Sequence, residues 1–208
     1  MTICDIIKAR EITEILHFTT LNKGLTGILD VRMVKSRPLL KDNQRLEFIL
    51  KLNTVRVLDR GWEGFVNLSI SRVNYTLLGI SANSWHPDEK WCILSFDPKI
   101  LSHEGVFFAT TNNAYPKVSR GQGARGLEQL FAQKVAGRYE SSSERHEGIQ
   151  AFHTTCPQAE VLYPKELPTS YLRIIYVKSV EDSGDVHGLL QVFLHEQVRV
   201  VIDPTKFG

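Results

Sequence analysis

The order of the apolar segments constrains the fold of this chain more than any other feature of its sequence. Short strand-like runs follow one another without the regular strand–helix–strand alternation of a doubly wound sheet. The clearest of these runs are Phe65 to Arg72, Trp91 to Phe96 and Leu172 to Val177. We count roughly seven strands and four or five helices, and 208 residues suffice to bury the core of one domain. The sequence therefore predicts a single α+β domain over residues 1–208.

The composition argues against several classes of protein. The formal net charge is only +2, so any contact with nucleic acid must come from a local basic patch. The cysteines, Cys4, Cys92 and Cys156, are odd in number and lack the spacing of metal ligands, which predicts a reducing compartment and no bound metal. No apolar run approaches ~18 residues, so neither a membrane span nor a signal peptide is expected. We expect a cytoplasmic monomer.

An early segment predicts a strand, a sharp turn and a helix. Residues Ile12 to Phe18 alternate as a strand does, and Leu21 to Leu29 carry apolar side chains at helical spacing. Thr20 and Asn22 are candidates for the helix cap. His17 would lie at the turn, either as a ligand contact or as a packed or capping residue, the commoner role of a lone histidine.

The run from Phe65 to Arg72 predicts a half-buried strand with one polar face. Its apolar residues alternate with small hydrogen-bonding side chains, namely Asn67, Ser69 and Ser71, and Arg72 closes the row. A guanidinium binds phosphate through a planar fork, so this row suits a cleft for a phosphate-bearing ligand. A sheet face exposed to water would give the same pattern.

A glycine-rich middle segment carries aromatic and basic side chains, which are Tyr115, Lys117, Arg120 and Arg125. Glycines allow a bound backbone to come close, and an aromatic ring among cations suits a single-stranded nucleic acid. A flexible linker would explain the same composition. A helix is predicted directly after it, from Leu127 to Val135.

Two other segments carry expectations of their own. From Met33 to Arg60 the chain is rich in Lys and Arg around a helix-like apolar patch at Leu46 to Leu50, and we interpret most of these charges as a solvated face. Near the C-terminus, Leu189 to Gln197 is predicted as a helix. Val198 to Ile202 is predicted as a last strand.

A carboxylate stands where a polar loop turns into an apolar strand. The loop runs from Glu140 to Thr155, and the strand begins with Val161 to Tyr163. Glu160 would therefore have a rigid base and stay open to a substrate. On an extended chain Gln158 points to the same face, so the two side chains would orient a hydroxyl- or amine-bearing substrate. Alternatively, Glu160 merely solvates the strand end, as charged residues commonly do.

Together these segments resemble the ADP-ribosyltransferase superfamily and, more narrowly, the DarT-type DNA ADP-ribosyltransferase toxins. The resemblance spans nearly the whole chain and rests on the blocks Leu16–Thr19, Leu68–Arg72, Phe108–Ala114 and Gln158–Pro164. It implies a mixed, largely antiparallel split sheet with peripheral helices. It also implies NAD as co-substrate and a macrodomain antitoxin of the DarG type as partner.

The resemblance further implies roles for individual residues. Glu160 would be the catalytic carboxylate, and Arg72 would hold the phosphates or polarise the ribose. The residues expected to bind NAD are His17, Phe18, Thr19, Asn22, Ser69 and Tyr75. Those expected to bind the acceptor are Asn113, Tyr115, Arg120, Arg125 and Gln158.

Two departures from the thymine-modifying branch of that family favour its guanine-modifying branch. Asn113 stands where a His is expected before Ala114, and the strand before Arg72 lacks an aromatic pair. The amides of Asn113 and Gln158 can donate and accept, as the edge of guanine requires. We therefore expect guanine in single-stranded DNA as the acceptor. The alternatives are thymine, RNA, protein or water, or a nucleic-acid-binding domain without catalysis.

Overall fold

The structure is a computed structural model that describes residues 1–40, 61–195 and 197–208. Its strands are β1 Ile15–Thr20, β2 Met33–Lys35, β3 Phe65–Ile70, β4 Trp91–Phe96, β5 Phe107–Ala109, β6 Arg120–Gln122, β7 Lys134–Ala136, β8 Ser142–Glu144, β9 Glu160–Pro164, β10 Glu166–Pro168, β11 Leu172–Val177 and β12 Arg199–Ile202. Its α-helices are α1 Ile3–Ala9, α2 Thr26–Val31, α3 Arg37–Leu40, α4 Tyr75–Ile80, α5 Gly123–Gln129 and α6 Val180–Val192. Leu21–Leu25 and Ser81–Trp85 form π-helical turns, and Pro98–Ser102, Thr169–Tyr171 and Pro204–Phe207 are 3₁₀ turns.

One eight-stranded sheet organises the chain, in the order β12–β11–β4–β1–β3–β9–β5–β6. Its neighbours are antiparallel except β11 and β12, which are parallel. All six residues of β4 are buried, which agrees with its nearly continuous apolar run. The predicted α+β fold is therefore confirmed, and β4 has the bounds that its sequence predicted.

The sheet splits between β1 and β3. These two strands pair at Ile15↔Ile70 and Leu16↔Ser69, whereas β1 pairs with β4 along all six of its residues. Past Leu16 the two strands diverge, and a cavity lies between them. The split sheet implied by the family resemblance is thus present, and it places the polar face of β3 opposite His17.

The turn after β1 requires a glycine. Thr20 caps the π-helical turn, because its hydroxyl accepts from the backbone N–H of Gly24 at 3.1 Å. A Cβ at Gly24 would lie 2.1 Å from the Thr19 hydroxyl oxygen, closer than atoms of a folded chain approach. Asn22, the other predicted cap, is exposed, and its backbone carbonyl accepts from the hydroxyl of Thr26.

Two predicted helices have other bounds. The helix expected at Leu189–Gln197 is α6, which begins at Val180 because the hydroxyl of Ser179 accepts from the backbone N–H of Asp182. The helix expected at Leu127–Val135 is α5, which ends at Gln129. The apolar patch predicted between Leu46 and Leu50 lies outside the described residues.

The glycines of the middle segment lie in regular structure and not in a linker, since Arg120–Gln122 form β6 and Gly123–Gln129 form α5. Tyr115 and Lys117 lie in the turns before β6. Helix α5 packs against β6 through its glycines, because a Cβ at Gly126 would lie 2.4 Å from the carbonyl carbon of Gly121. Glycine therefore serves close backbone packing at this position. In the described ranges no helix has the length and apolar character to cross a membrane. The same ranges hold no cluster of His, Cys, Asp and Glu suited to a metal ion.

Candidate active site

The cavity at the split, here the split cavity, has a volume of about 160 Å³. Its walls include Leu16–Thr19 of β1, Phe65–Ser69 of β3, the segment Val34–Arg37 and the side chain of Glu160. Five of the predicted site residues meet here, namely His17, Phe18, Thr19, Ser69 and Glu160. The divergence of two strands thus brings together residues far apart in the sequence.

Glu160 is the buried acidic group of the split cavity. It is the first residue of β9, opposite Ala109 of β5, and only 3% of it is exposed. Its Oε2 accepts from Asn67 Nδ2 at 2.9 Å and from the backbone N–H of Asn113 at 3.1 Å. We expected a carboxylate open at the strand end. The structure instead places it in the wall of the cavity, where two donors fix its orientation.

Asn67 connects the two sides of the split. Its side chain donates to Glu160, and its backbone carbonyl lies 3.0 Å from His17 Nδ1. Because a carbonyl only accepts, His17 carries its proton on Nδ1, and Nε2 of the neutral ring is then an acceptor. Sequence reasoning put Asn67 on the polar face of β3 but did not assign it to the site, since its partner Glu160 lies 93 positions away.

The remaining NAD-binding candidates have different surroundings. Phe18 lines the split cavity and also packs on Trp91, with ring centroids 5.9 Å apart. Asn22 and Tyr75 are exposed and are not part of the described wall. Tyr75 is the first residue of α4.

Arg72 lies just past the end of β3 and is likewise not part of the described wall of the split cavity. It follows Ser71, whose φ of 56° turns the chain sharply. Burial lowers the pKa of His153, and the nearby positive charge of Arg72 lowers it further. Arg72 is therefore close to His153, and its role towards phosphate stays a prediction.

A second cavity, here the loop cavity, has a volume of about 630 Å³. Its walls include Asn74, Thr76, Leu77, Ile80, Trp85, Asn112, Ala114–Lys117, Gly137–Glu140 and Gln158. The hydroxyl of Tyr115 donates to Gln158 Oε1 at 2.8 Å, and the Arg138 guanidinium lies 4.8 Å from the ring centre of Tyr139. Aromatic and cationic side chains therefore share one concave surface.

The position of Gln158 corrects an expectation. We expected it to lie on one face of an extended chain with Glu160. It lies instead in a turn before β9, since the backbone N–H of Ala159 donates to the carbonyl of Cys156. The two side chains consequently line different cavities, Gln158 the loop cavity and Glu160 the split cavity.

Arg120 and Asn113 form a support for Glu160. Arg120 donates from Nε to Asn113 Oδ1 at 2.6 Å and from Nη2 to the Asn113 carbonyl at 2.7 Å, and it stacks on the ring of Trp62. Asn113 is 2% exposed, and its side chain lies against Arg120 and not among the described residues that line the two cavities. Arg125 is exposed on α5 and lines neither cavity in the described parts.

A sheet split around a buried carboxylate, with a strand histidine on the facing edge, is the arrangement expected of an ADP-ribosyltransferase. The family model described as "DarT: ssDNA thymidine ADP-ribosyltransferase, DarT" matches residues 16–208. The chain belongs to the DarT family. No curated protein sequence matches it.

Solved structures resemble the chain over almost its full length. The Thermus sp. 2.9 DarT in complex with ADP-ribosylated ssDNA is 16% identical, with a TM-score of 0.69, and the match covers 95% of this chain and 97% of that one. The same Thermus protein in complex with NAD⁺ gives 0.68 at 16% identity, covering 95% and 98%. Thermosipho africanus DarTG in complex with ADP-ribose gives 0.62 at 16% identity, covering 94% of this chain and 51% of that one.

At this identity the structural likeness shows the fold, and the family match shows the class of enzyme. The prediction of an NAD-dependent ADP-ribosyltransferase is confirmed by the family. The predicted co-substrate agrees with the NAD⁺ complex of the Thermus protein. The family description names thymidine, whereas the sequence departures suggested guanine.

Proposed function

We propose that this protein transfers ADP-ribose from NAD⁺ to a base of single-stranded DNA and releases nicotinamide. The placement of Glu160 carries the proposal. Its carboxylate lines the split cavity and accepts from the backbone of Asn113, whose neighbours Asn112 and Ala114 line the loop cavity. The buried carboxylate thus lines one cavity and bonds to the loop that lines the other, an arrangement that suits a transfer between two substrates.

The chemistry of the transfer follows from charge. The bond between nicotinamide and ribose breaks with its electron pair leaving on nicotinamide, so positive charge develops on the ribose. A fixed, buried carboxylate stabilises that charge more in the transition state than in the ground state. As a base nitrogen bonds to the ribose carbon, Glu160 accepts the proton that this nitrogen loses. Base nitrogens are weak nucleophiles, so much of the acceleration comes from positioning.

The split cavity suits the donor. The Nε2 atom of His17 and the hydroxyls of Thr19 and Ser69 can bond ribose hydroxyls and a carboxamide, while Phe18 offers a ring against nicotinamide. These four residues lie on the two diverging strands. An NAD⁺ molecule held between the strands would have its reacting ribose beside Glu160.

The loop cavity suits a single-stranded acceptor. Tyr115, Tyr139 and Trp85 offer aromatic faces for an unpaired base, and the Arg138 guanidinium offers charge for the backbone phosphates. Lys117 lines the same cavity, but its ammonium pairs with the carboxylate of Glu140 at 2.8 Å. A duplex would keep its bases stacked, and extracting one costs a few kcal/mol. Single strands should therefore be modified faster than duplexes of the same sequence.

Two bases are candidates, and a different observation favours each. The family description names thymidine. The departures at Asn113 and before Arg72 favour guanine. Gln158 adds an amide in the loop cavity that supports guanine through its nitrogen, because its oxygen already accepts from the hydroxyl of Tyr115. Asn113 lends less support than its sequence position suggested, because its amide oxygen accepts from Arg120. Guanine is our proposal, and thymidine is its direct competitor.

The family resemblance also suggests a partner. Thermosipho africanus DarTG resembles this chain over 51% of its own length, which leaves room for a second module in that protein. We propose a macrodomain antitoxin of the DarG type as the partner that restrains this toxin, and a monomer as its active form.

Labelled NAD⁺ offered with single-stranded DNA, duplex DNA, RNA or no acceptor tests the transfer. We expect label on single-stranded DNA, less on the duplex and none on RNA. Label found only on RNA or only on the protein would mean that the acceptor is RNA or protein and not single-stranded DNA. Free ADP-ribose as the sole product would make the enzyme a glycohydrolase.

A second experiment decides the base. Single strands that lack guanine, and matched strands that lack thymine, are incubated with the enzyme and NAD⁺. Label that disappears with guanine supports our proposal. If label disappears when thymine is absent, the acceptor base is thymine, as the family description states.

A further inference from the structure

The wall shared by the two cavities contains a buried amide without a known role. Among the described residues, two line both the split cavity and the loop cavity, namely Asn74 and Leu77. Leu77 is apolar, so Asn74 supplies the polar side chain at that boundary. Sequence reasoning did not assign Asn74 to the site.

The orientation of the Asn74 amide follows from helix capping. Asn74 precedes α4, and its Oδ1 accepts from the backbone N–H of Leu77 at 3.1 Å. That N–H needs an acceptor, which fixes the oxygen towards the helix and the nitrogen away from it. The side-chain nitrogen is therefore the group left for other partners.

That nitrogen has no hydrogen-bond partner among the described residues. Asn74 is 6% exposed, so the donor has lost its water without gaining a protein acceptor. Such a group is costly in a folded protein and is uncommon unless an occupant completes it. Because Asn74 lines both cavities, an occupant at the boundary between them could supply the acceptor that this nitrogen lacks.

We infer that Asn74 Nδ2 donates to a carbonyl oxygen of the acceptor base during transfer, which makes Asn74 a binding and specificity residue. This inference rests on the proposed function. The base must reach from the loop cavity to the ribose in the split cavity, and it passes Asn74 where the two meet. Guanine and thymine both carry carbonyl oxygens on their edges, whereas adenine has none. The contact therefore holds for either candidate base and disfavours adenine.

Three substitutions separate this role from capping. Asn, Asp and Ser are about equally good at a helix N-cap, and Ala is poor. Asn74→Ser and Asn74→Asp should keep the melting temperature of the wild type but lose the amide donor, whereas Asn74→Ala should lose both. We expect Asn74→Ser to lower kcat/KM for single-stranded DNA about tenfold. Asn74→Asp should lower it further, since a carboxylate repels a carbonyl oxygen.

The donor side of the reaction serves as the internal control. The dissociation constant of NAD⁺, measured by calorimetry without DNA, should change less than about twofold in both cap-preserving variants. A loss of NAD⁺ affinity equal to the loss in kcat/KM would mean that the Asn74 amide contacts NAD⁺ and not the acceptor base. That result would overturn the inference. Wild-type kcat/KM in both variants would overturn it as well.

A change in the substrate tests the contact from the other side. Oligonucleotides are made in which sulfur, a weaker acceptor, replaces each carbonyl oxygen of the target base in turn. At the contacted position the difference between wild type and Asn74→Ser should shrink to nearly nothing. An undiminished difference at every position would refute the contact. Wild-type enzyme that labels no DNA at all would refute the proposed function itself, an outcome distinct from variants that label as well as wild type.

Discussion

Replacing Asn67 with alanine removes the side-chain donor that lies 2.9 Å from Glu160 Oε2. The backbone carbonyl that meets His17 stays in place, so the change isolates one contact to the carboxylate. A hydrogen bond to a charged group contributes about 1.5–3 kcal/mol. If Glu160 must be held in one orientation during transfer, that loss corresponds to a rate lower by about ten- to a hundredfold.

Single-turnover transfer of labelled ADP-ribose to single-stranded DNA measures the effect, because it excludes product release. Asn83→Ala is the matched control, since it removes an exposed amide from the π-helical turn Ser81–Trp85 and should leave the rate unchanged. The melting temperatures of both variants show that the fold is kept. A wild-type rate in Asn67→Ala would show that this hydrogen bond does not position Glu160.

Other expectations concern packing, pH and the donor. Gly126→Ala should destabilise the fold by about 1–3 kcal/mol, because its Cβ would meet backbone at 2.4 Å. Gly184→Ala, at an exposed position of α6 with open space for a Cβ, should instead gain about 0.5–1 kcal/mol. Equal melting temperatures of the two variants would refute this expectation. Burial lowers the pKa of His103 from about 6.5, so the unfolded state binds this proton more readily and stability falls as pH drops below that value; His103→Asn should flatten that fall in denaturant titrations. His17→Ala should weaken NAD⁺ binding about tenfold, and unchanged affinity by calorimetry would leave His17 a structural residue.

Local patterns in the sequence predicted what depends on local physics. The unbroken apolar run Trp91–Phe96 predicted a buried strand with the bounds that the structure has. The alternation from Phe65 predicted β3 and its polar face. The change from polar loop to apolar strand predicted that Glu160 begins a strand. Each signal lies within a few neighbouring residues.

What escaped prediction depends on contacts between distant segments. The bond from Asn67 to Glu160 needs the register of β3 on β9, which no local pattern encodes. The burial of Asn113 under Arg120 likewise depends on how the loop after β5 folds back. Gln158 was misplaced because an extended chain was assumed where a turn forms.

The Glu160→Gln variant shows whether the carboxylate of Glu160 is needed for transfer. A glutamine oxygen can still accept from Asn67 and from the Asn113 backbone, so the variant should keep its fold while losing the negative charge. Intact single-stranded oligonucleotides are incubated with NAD⁺ and either protein, and their masses are compared. We expect wild type to add the mass of ADP-ribose. The variant, which should still melt like wild type and bind NAD⁺, should add none at equal times. Modification by Glu160→Gln at the wild-type rate would contradict the assignment of Glu160 as the catalytic carboxylate.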